Sequence, residues 1–147
     1  MSLKETLMSD LKDAMKQKDT VRKDTIQLVR SGVLQIEKDK QVTLDDDGVL
    51  DVIAKELKSR RDSLPEYEKS GREDLIAQLN REIEILLGYL PTQLTESEIQ
   101  EIVDSTVKEL NAATMKDMGK VMAALTAKTK GRADNKIVSK YVKEKLK

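Results

Sequence analysis

The sequence contains no cysteine and no histidine, and its only aromatic residues are three tyrosines. Without Cys there are no disulfides, thiolate nucleophiles or zinc–thiolate sites. Without His the commonest metal ligand and the usual base at neutral pH are missing. These absences exclude most familiar active sites. We therefore expect no metal, no cofactor and no self-sufficient catalysis.

Long apolar runs are also missing. No window approaches the roughly 18 consecutive apolar residues of a membrane span. The first residues, Met1-Ser2-Leu3-Lys4-Glu5, lack the apolar stretch of a secretory signal. From these features we expect a cytoplasmic protein with no membrane partner.

The residues that are abundant favour helices. Charged residues make up 37% of the chain, and the apolar residues recur at helical spacing with no strand pattern. We predict an all-α protein with two domains: an N-terminal bundle of about four helices, residues 1–90, and a small C-terminal three-helix domain, residues 91–147. The boundary is placed before Pro91, because the residue preceding a proline is pushed out of the helical conformation.

Several helix limits follow from single residues. The acidic run Asp45-Asp46-Asp47-Gly48 resembles part of a calcium loop, but the carboxylates required at the first and twelfth loop positions are missing. We instead predict that Thr43 caps the third helix and that the acidic run lies in its first turn. Pro65 is expected to end or bend that helix. Gly119, inside the sixth helix, indicates close approach of another backbone, and Gly131 suits a left-handed helix terminus.

Charge is distributed unevenly along the chain. The last 37 residues carry ten Lys/Arg against three Asp/Glu, whereas the rest carries 17 against 24. In the seventh helix Lys136, Lys140, Lys143 and Lys147 follow at i, i+4, i+7 and i+11 and form one ridge. Together with neighbouring basic residues they give the candidate nucleic-acid-binding set Lys116, Lys120, Lys128, Lys130, Arg132, Lys136 and Lys140.

This basic set has a functional and a structural interpretation. Phosphates bound to it would give salt-dependent affinity with little base selectivity. Because the chain has only three aromatic residues on which single-stranded bases could stack, a folded RNA such as tRNA fits better. The same lysines could instead complement helix dipoles, keep the protein soluble or pair with the acidic fifth helix. Gly119-Lys120 does not form a phosphate loop, since Val121 stands where Ser or Thr is required.

Three segments resemble the YqeY family: Tyr89-Leu90-Pro91-Thr92-Gln93-Leu94-Thr95, Asp117-Met118-Gly119-Lys120-Val121-Met122 and Lys130-Gly131-Arg132-Ala133-Asp134. Arg60-Arg61-Asp62-Ser63 and the Tyr67 region extend the resemblance over essentially the full length. The C-terminal half is also similar to the tail domain of the B subunit of glutamine-dependent Asp/Glu-tRNA amidotransferase, a carbon–nitrogen ligase. Asn135 departs from the pattern, in which Gly often follows the Ala-Asp pair.

The resemblance implies a helical bundle followed by a three-helix domain that helps hold tRNA while chemistry occurs elsewhere. It makes Lys120, Lys130 and Arg132 candidates for phosphate contact, and Met118, Gly119, Met122 and Gly131 packing or turn positions. The first hypothesis is a non-catalytic tRNA-binding or amidotransferase-associated accessory protein, with the N-terminal helices available to a protein partner. The alternatives are a helical protein-interaction module with no nucleic-acid role, and a carbon–nitrogen ligase in its own right.

Overall fold

The structure, a computed structural model, describes residues 2–146. All regular secondary structure in these residues is helical, which confirms the predicted all-α class. The helices are α1 (Leu3–Lys16), α2 (Thr20–Lys40), α3 (Asp46–Ser70), α4 (Glu73–Leu87), α5 (Glu96–Glu109), α6 (Met118–Thr129) and α7 (Asn135–Lys145), with a 3₁₀ turn at Met115–Asp117. They group into two compact units, Met1–Leu90 and Pro91–Lys147.

The N-terminal unit contains α1 to α4. Helix α2 packs against α1, α3 and α4, and α3 packs along α4. The core consists of aliphatic side chains spaced by three or four residues on each helix, which is the spacing that places them on one face. Its most completely buried members include Leu7, Ile26, Val29, Val49, Ile53 and Leu86. No helix in residues 2–146 is long and apolar enough to span a bilayer.

Three helix starts in this unit use short polar side chains as caps. Ser2 Oγ, before α1, accepts a hydrogen bond from the Glu5 N–H at 3.2 Å. Asp19 Oδ1 accepts a hydrogen bond from the Arg22 N–H at 3.1 Å, and Asp45 Oδ1 accepts one from the Gly48 N–H at 2.9 Å. The prediction that Thr43 caps α3 is therefore wrong. The Leu44 N–H donates a hydrogen bond to the Glu37 carboxylate at 2.7 Å, which holds this segment against α2. Helix α3 therefore begins after Leu44, and Asp45 is its N-cap.

Pro65 is predicted to end or bend helix α3, and the first of these outcomes does not occur, because α3 continues through Pro65 to Ser70. The residue is exposed, and its ring costs α3 one backbone hydrogen bond without displacing a core side chain. The helix ends at Gly71 instead. Gly71 has φ 70°, a left-handed conformation that glycine adopts without the penalty of a side chain.

The C-terminal unit is a bundle in which α5, α6 and α7 each pack against the other two. Its core is formed by Ile99, Val103 and Val107 from α5, Val121 and Leu125 from α6, and Val138, Val142 and Leu146 at the end of the chain. Thr95 and Glu98 form a capping box at the start of α5. Asp134 caps α7 by accepting a hydrogen bond from the Lys136 N–H at 2.9 Å.

The structure confirms the predicted role of Gly131 but not that of Gly119. Gly131 has φ 72° and makes the left-handed turn after α6, as predicted. Gly119 is exposed, and a Cβ added there would meet nothing within 4 Å. The predicted close approach of a second backbone is wrong, because α6 turns this position toward solvent.

Candidate nucleic-acid interface

The segment before α5 is fastened to the turn that follows α6. The Leu94 N–H donates to the Arg132 carbonyl at 2.8 Å, and the Gln93 side-chain amide donates to the Gly131 carbonyl at 2.7 Å. In the other direction, Arg132 Nε donates to the Thr92 carbonyl at 3.2 Å. Two of the motifs noted in the sequence are thus joined to each other. Arg132, a predicted phosphate ligand, has one guanidinium N–H committed to holding this junction.

The basic side chains that face α5 are neutralised within the unit. Lys128 Nζ donates to Thr106 Oγ1 at 2.9 Å and to Glu109 Oε2 at 3.2 Å. Lys145 Nζ lies 3.0 Å from Asp104 Oδ1. Such contacts tie α6 and α7 to the acidic helix, as the structural interpretation of the basic segment expected. An external phosphate would compete with these two contacts for Lys128, and the exposed pair with Glu109 is worth about 0–1 kcal/mol.

A second group of lysines lines a groove between α6 and α7. Lys136, Lys140 and Lys143 stand on the side of α7 away from α5, over Met122 of α6. We call this the α6/α7 groove; its other lining residues are Asn135, Ser139 and Glu144. Three ammonium groups therefore share one open groove with a single carboxylate. Lys147, the last member of the predicted ridge, lies outside the described residues.

The remaining predicted residues lie elsewhere on the unit. Residues two apart on a helix point about 160° away from each other, so Lys120 does not join Met122 in the α6/α7 groove. Lys120 is exposed, as are Lys116 before α6 and Lys130 after it. The N–H groups of Ala113 and Thr114 lower the pKa of the Asp117 carboxyl, and nearby Lys120 adds a smaller effect of the same sign.

The structure therefore divides the predicted residues by helix face. Lys136 and Lys140 lie in the α6/α7 groove, Lys128 and Arg132 make intramolecular contacts, and Lys116, Lys120 and Lys130 are distributed around α6. Ser139 and Asn135 were not named as candidates from the sequence. A signal for Ser139 was present, since it lies three residues after Lys136 and four before Lys143 and thus on their face of α7.

Polar clusters in the N-terminal unit connect helices. Arg60 is 9% exposed and contacts Glu56 Oε2 at 2.6 Å and Glu82 Oε1 at 3.7 Å, joining α3 to α4. Glu82 is half-buried in this ion pair. The Tyr89 hydroxyl donates a hydrogen bond to Asp10 Oδ2 at 2.5 Å, which fastens the end of α4 to α1.

Residues 2–146 contain no group of three acidic side chains arranged to hold a metal ion.

Comparison with known families identifies the chain's relationship. The family profile described as Yqey-like protein matches residues 4–146. The chain belongs to the YqeY family. This match confirms the resemblance based on the three motifs. The hydrogen bond between the Leu94 N–H and the Arg132 carbonyl joins two of those motifs.

Curated relatives come from fungi and share one name, "Altered inheritance of mitochondria protein 41, mitochondrial". The protein from Pyrenophora tritici-repentis is 32% identical over 142 residues, which cover 94% of this chain and 77% of the relative. Those from Lachancea thermotolerans and Kluyveromyces lactis are 40% and 41% identical over 71% of this chain. The aligned region spans only 57% and 56% of these two relatives.

These names contradict the cytoplasmic location expected for this YqeY-family chain, because each relative is described as mitochondrial. The expectation rested on the lack of an apolar span and of a secretory signal. Those features bear on membrane insertion and secretion. They do not distinguish the cytosol from the aqueous interior of an organelle, so the prediction of a cytoplasmic protein was wrong.

Proposed function

We propose that this YqeY-family protein is a non-catalytic binding protein whose C-terminal unit holds the phosphate backbone of a folded RNA such as tRNA. The observation that carries the proposal is the convergence of Lys136, Lys140 and Lys143 on the α6/α7 groove with one carboxylate, Glu144. Three ammonium groups within about two turns of one helix match successive phosphates better than they match a single small anion.

The chemistry of the groove favours backbone contact over base reading. Lysine ammonium groups act as point charges, whereas selective reading of bases uses planar side chains or stacking on rings. Met122 is the apolar side chain that lines the groove, and the aromatic ring near its lysines, that of Tyr141, has its centroid 6.0 Å from Lys140 Nζ and is not a lining residue. A duplex or folded RNA, which displays its phosphates outward, is therefore the expected class of ligand. The resemblance of the C-terminal half to the amidotransferase tail domain supports the further proposal of an accessory role beside a tRNA-modifying enzyme such as an amidotransferase.

The contacts of the other basic residues indicate that positive charge is distributed unevenly between the two sides of α7. Lys128 and Lys145 are paired with acids of α5, so the α5 side carries little net positive potential. The α6/α7 groove lies on the other side of α7. A polyanion approaching the unit would be steered to the α6/α7 groove by this asymmetry.

A salt titration with bulk tRNA tests the proposal. The double variant Lys140→Gln/Lys143→Gln removes two charges from the groove, and the matched control Lys12→Gln/Lys108→Gln removes two exposed charges outside it. We expect the wild type to bind with a dissociation constant of about 1–100 μM. The groove variant should lower the slope of log K against log salt by about 1.4–1.8, the loss expected for two phosphate contacts.

Three results would contradict the proposal. The first is no binding of tRNA at about 50 mM salt. Contacts with phosphates are strong at this concentration and weaken steeply towards about 200 mM. The second is an equal loss of slope in the groove variant and in the control variant. The third is binding of vesicles of anionic phospholipid with no binding of tRNA, which would assign the same lysines to a membrane surface.

A further inference from the structure

A second groove, between α1 and α2 in the N-terminal unit, is apolar and open to solvent. Its floor is formed by Leu7 and Val33, both core residues, and its upper walls by Met8 and Leu34. Met8 is 37% exposed and Leu34 is 60% exposed. We call it the α1/α2 groove. Met8 and Leu34 thus extend the hydrophobic core to the surface as a contiguous exposed apolar patch. Such patches often mark binding sites.

The apolar strip extends along α1. Met15 is seven residues after Met8, so both side chains project from the same face of α1, and Met15 is 48% exposed. Unbranched methionine side chains adapt to the shape of a partner and are frequent at surfaces that bind helices. The strip from Leu34 and Met8 to Met15 is about two turns of α1 long, which accommodates a partner helix with anchors at i, i+3 or i+4, and i+7.

The charges around the α1/α2 groove favour an acidic partner. One end is occupied by an ion pair between Lys4 and Glu37, which is neutral as a unit. Arg30 lines the middle, and Glu5 is the remaining acid of the rim.

Two more cations continue this rim beyond the lining residues. Lys12, four residues after Met8, follows it along the same side of α1. Lys23 is seven residues before Arg30 on α2, with a weak 3.8 Å contact to the adjacent Asp24. The residues named along this rim thus carry four cations, Lys4, Lys12, Lys23 and Arg30, against three acids, Glu5, Asp24 and Glu37, which is an excess of one positive charge.

We propose that the α1/α2 groove is a docking site for an amphipathic helix of a partner protein, with Leu, Ile or Met side chains toward Met8 and Leu34 and with Asp or Glu along its flanks. The apolar anchors would supply affinity, and the rim cations would select the acidic flank and accelerate encounter. This proposal concerns the N-terminal unit and is independent of RNA binding by the α6/α7 groove.

The probe for a test is a designed 16-residue amphipathic peptide with Leu at i, i+4, i+7 and i+11 and Glu on its flanks; the control peptide carries Lys in place of Glu. Fluorescence anisotropy measures binding to the full-length protein. We expect the acidic peptide to bind at least ten times more tightly than the basic one. Leu34→Glu should weaken binding by about 30-fold, the loss typical of a hot-spot anchor.

The matched control is Leu28→Glu. Leu28 is 50% exposed on α2 but does not line the groove, so the same substitution there should leave binding within about twofold of wild type, as for surface changes away from a contact. Methionine methyl NMR supplies a second readout. The acidic peptide should shift the Met8 and Met15 resonances and leave those of Met115, Met118 and Met122 in place.

Any of four outcomes would overturn the proposal: no binding of the acidic peptide, equal binding of the two peptides, equal loss in the Leu34→Glu and Leu28→Glu variants, or shifts confined to the C-terminal methionines. Concentration-dependent dimerisation that Leu34→Glu abolishes would assign the groove to a second copy of the chain. Binding of anionic vesicles without peptide binding would assign it to a membrane.

Discussion

Truncation of Leu125 to alanine should unfold the C-terminal unit selectively. Leu125 is fully buried at the centre of that core, and a buried Leu→Ala change costs about 2–5 kcal/mol because it removes transfer energy and leaves a cavity. A unit of about 57 residues has a total stability of about 3–9 kcal/mol. A loss of about 3 kcal/mol would lower the melting temperature of such a unit by about 12–24 °C.

The unfolding of each unit can be followed through its own methionines. Met115, Met118 and Met122 belong to the C-terminal unit, and Met8 and Met15 belong to the N-terminal unit. On heating, Leu125→Ala should bring the first set to random-coil methyl shifts at the lowered temperature while the second set keeps its folded shifts. Leu11→Ala, at a position 4% exposed in the other core, should produce the reverse order.

Loss of both methionine sets in one transition, in both variants, would refute the reasoning that each core is a separate cooperative structure. Leu28→Ala serves as the control, since Leu28 is 50% exposed and its truncation should change stability by less than about 0.5 kcal/mol. A large effect of that control would mean that the exposed surface of α2 is covered in the folded protein.

Three further predictions concern individual contacts. Tyr89→Phe should lower the free energy of unfolding by about 1–2 kcal/mol by removing the bond to Asp10. Burial, and secondly the hydrogen bond to Asp10, raises the pKa of the Tyr89 hydroxyl above 10.0. The contribution of this hydroxyl to the free energy of unfolding is therefore complete below about pH 10 and is lost as the pH rises further. Denaturant titration at several pH values should find this pH dependence reduced in Tyr89→Phe. Pro65→Ala should raise the stability of the N-terminal unit by about 1–2 kcal/mol, measured by urea unfolding, by restoring a backbone donor inside α3. Gly131→Ala should lower the melting temperature of the C-terminal unit, since its positive φ costs a residue with a side chain about 1 kcal/mol or more; an unchanged temperature would contradict the assignment of that turn.

Most helix positions could be predicted because their signals act over three or four residues. Thr95 and Glu98 form a capping box through contacts within one turn, and Asp134 caps α7 in the same local way. The prediction that Thr43 caps α3 failed because a contact with another helix decides the position of the cap, and the predicted end of α3 at Pro65 does not occur. Leu44 is held by Glu37 of α2, so the cap of α3 moves to Asp45, and α3 continues through Pro65 although a proline disfavours helix locally.

Burial of charge was harder to anticipate. Arg60 belongs to a run that reads as polar surface, but it is buried between α3 and α4 with Glu56 and Glu82. Its Nε is buried without a protein hydrogen-bond partner. Helical spacing does separate Arg60 from the adjacent Arg61, since Arg60 lies seven residues after Ile53 and three after Leu57, on the buried face of α3. The acid of α4 that meets it, Glu82, depends on how α3 and α4 pack.

The sequence by itself determined the helical class, the helix order and the uneven distribution of charge, because helical spacing and capping depend on near neighbours along the chain. The tertiary structure decided which cations contact α5 and which line the α6/α7 groove. Lys128 and Lys136 belong to the same basic segment, yet packing turns Lys128 toward Glu109 of α5 and Lys136 into the α6/α7 groove. The rotation of each helix about its axis is fixed only when its apolar face meets the two neighbouring helices, and that rotation separates the lysines that hold the bundle together from those that line a groove.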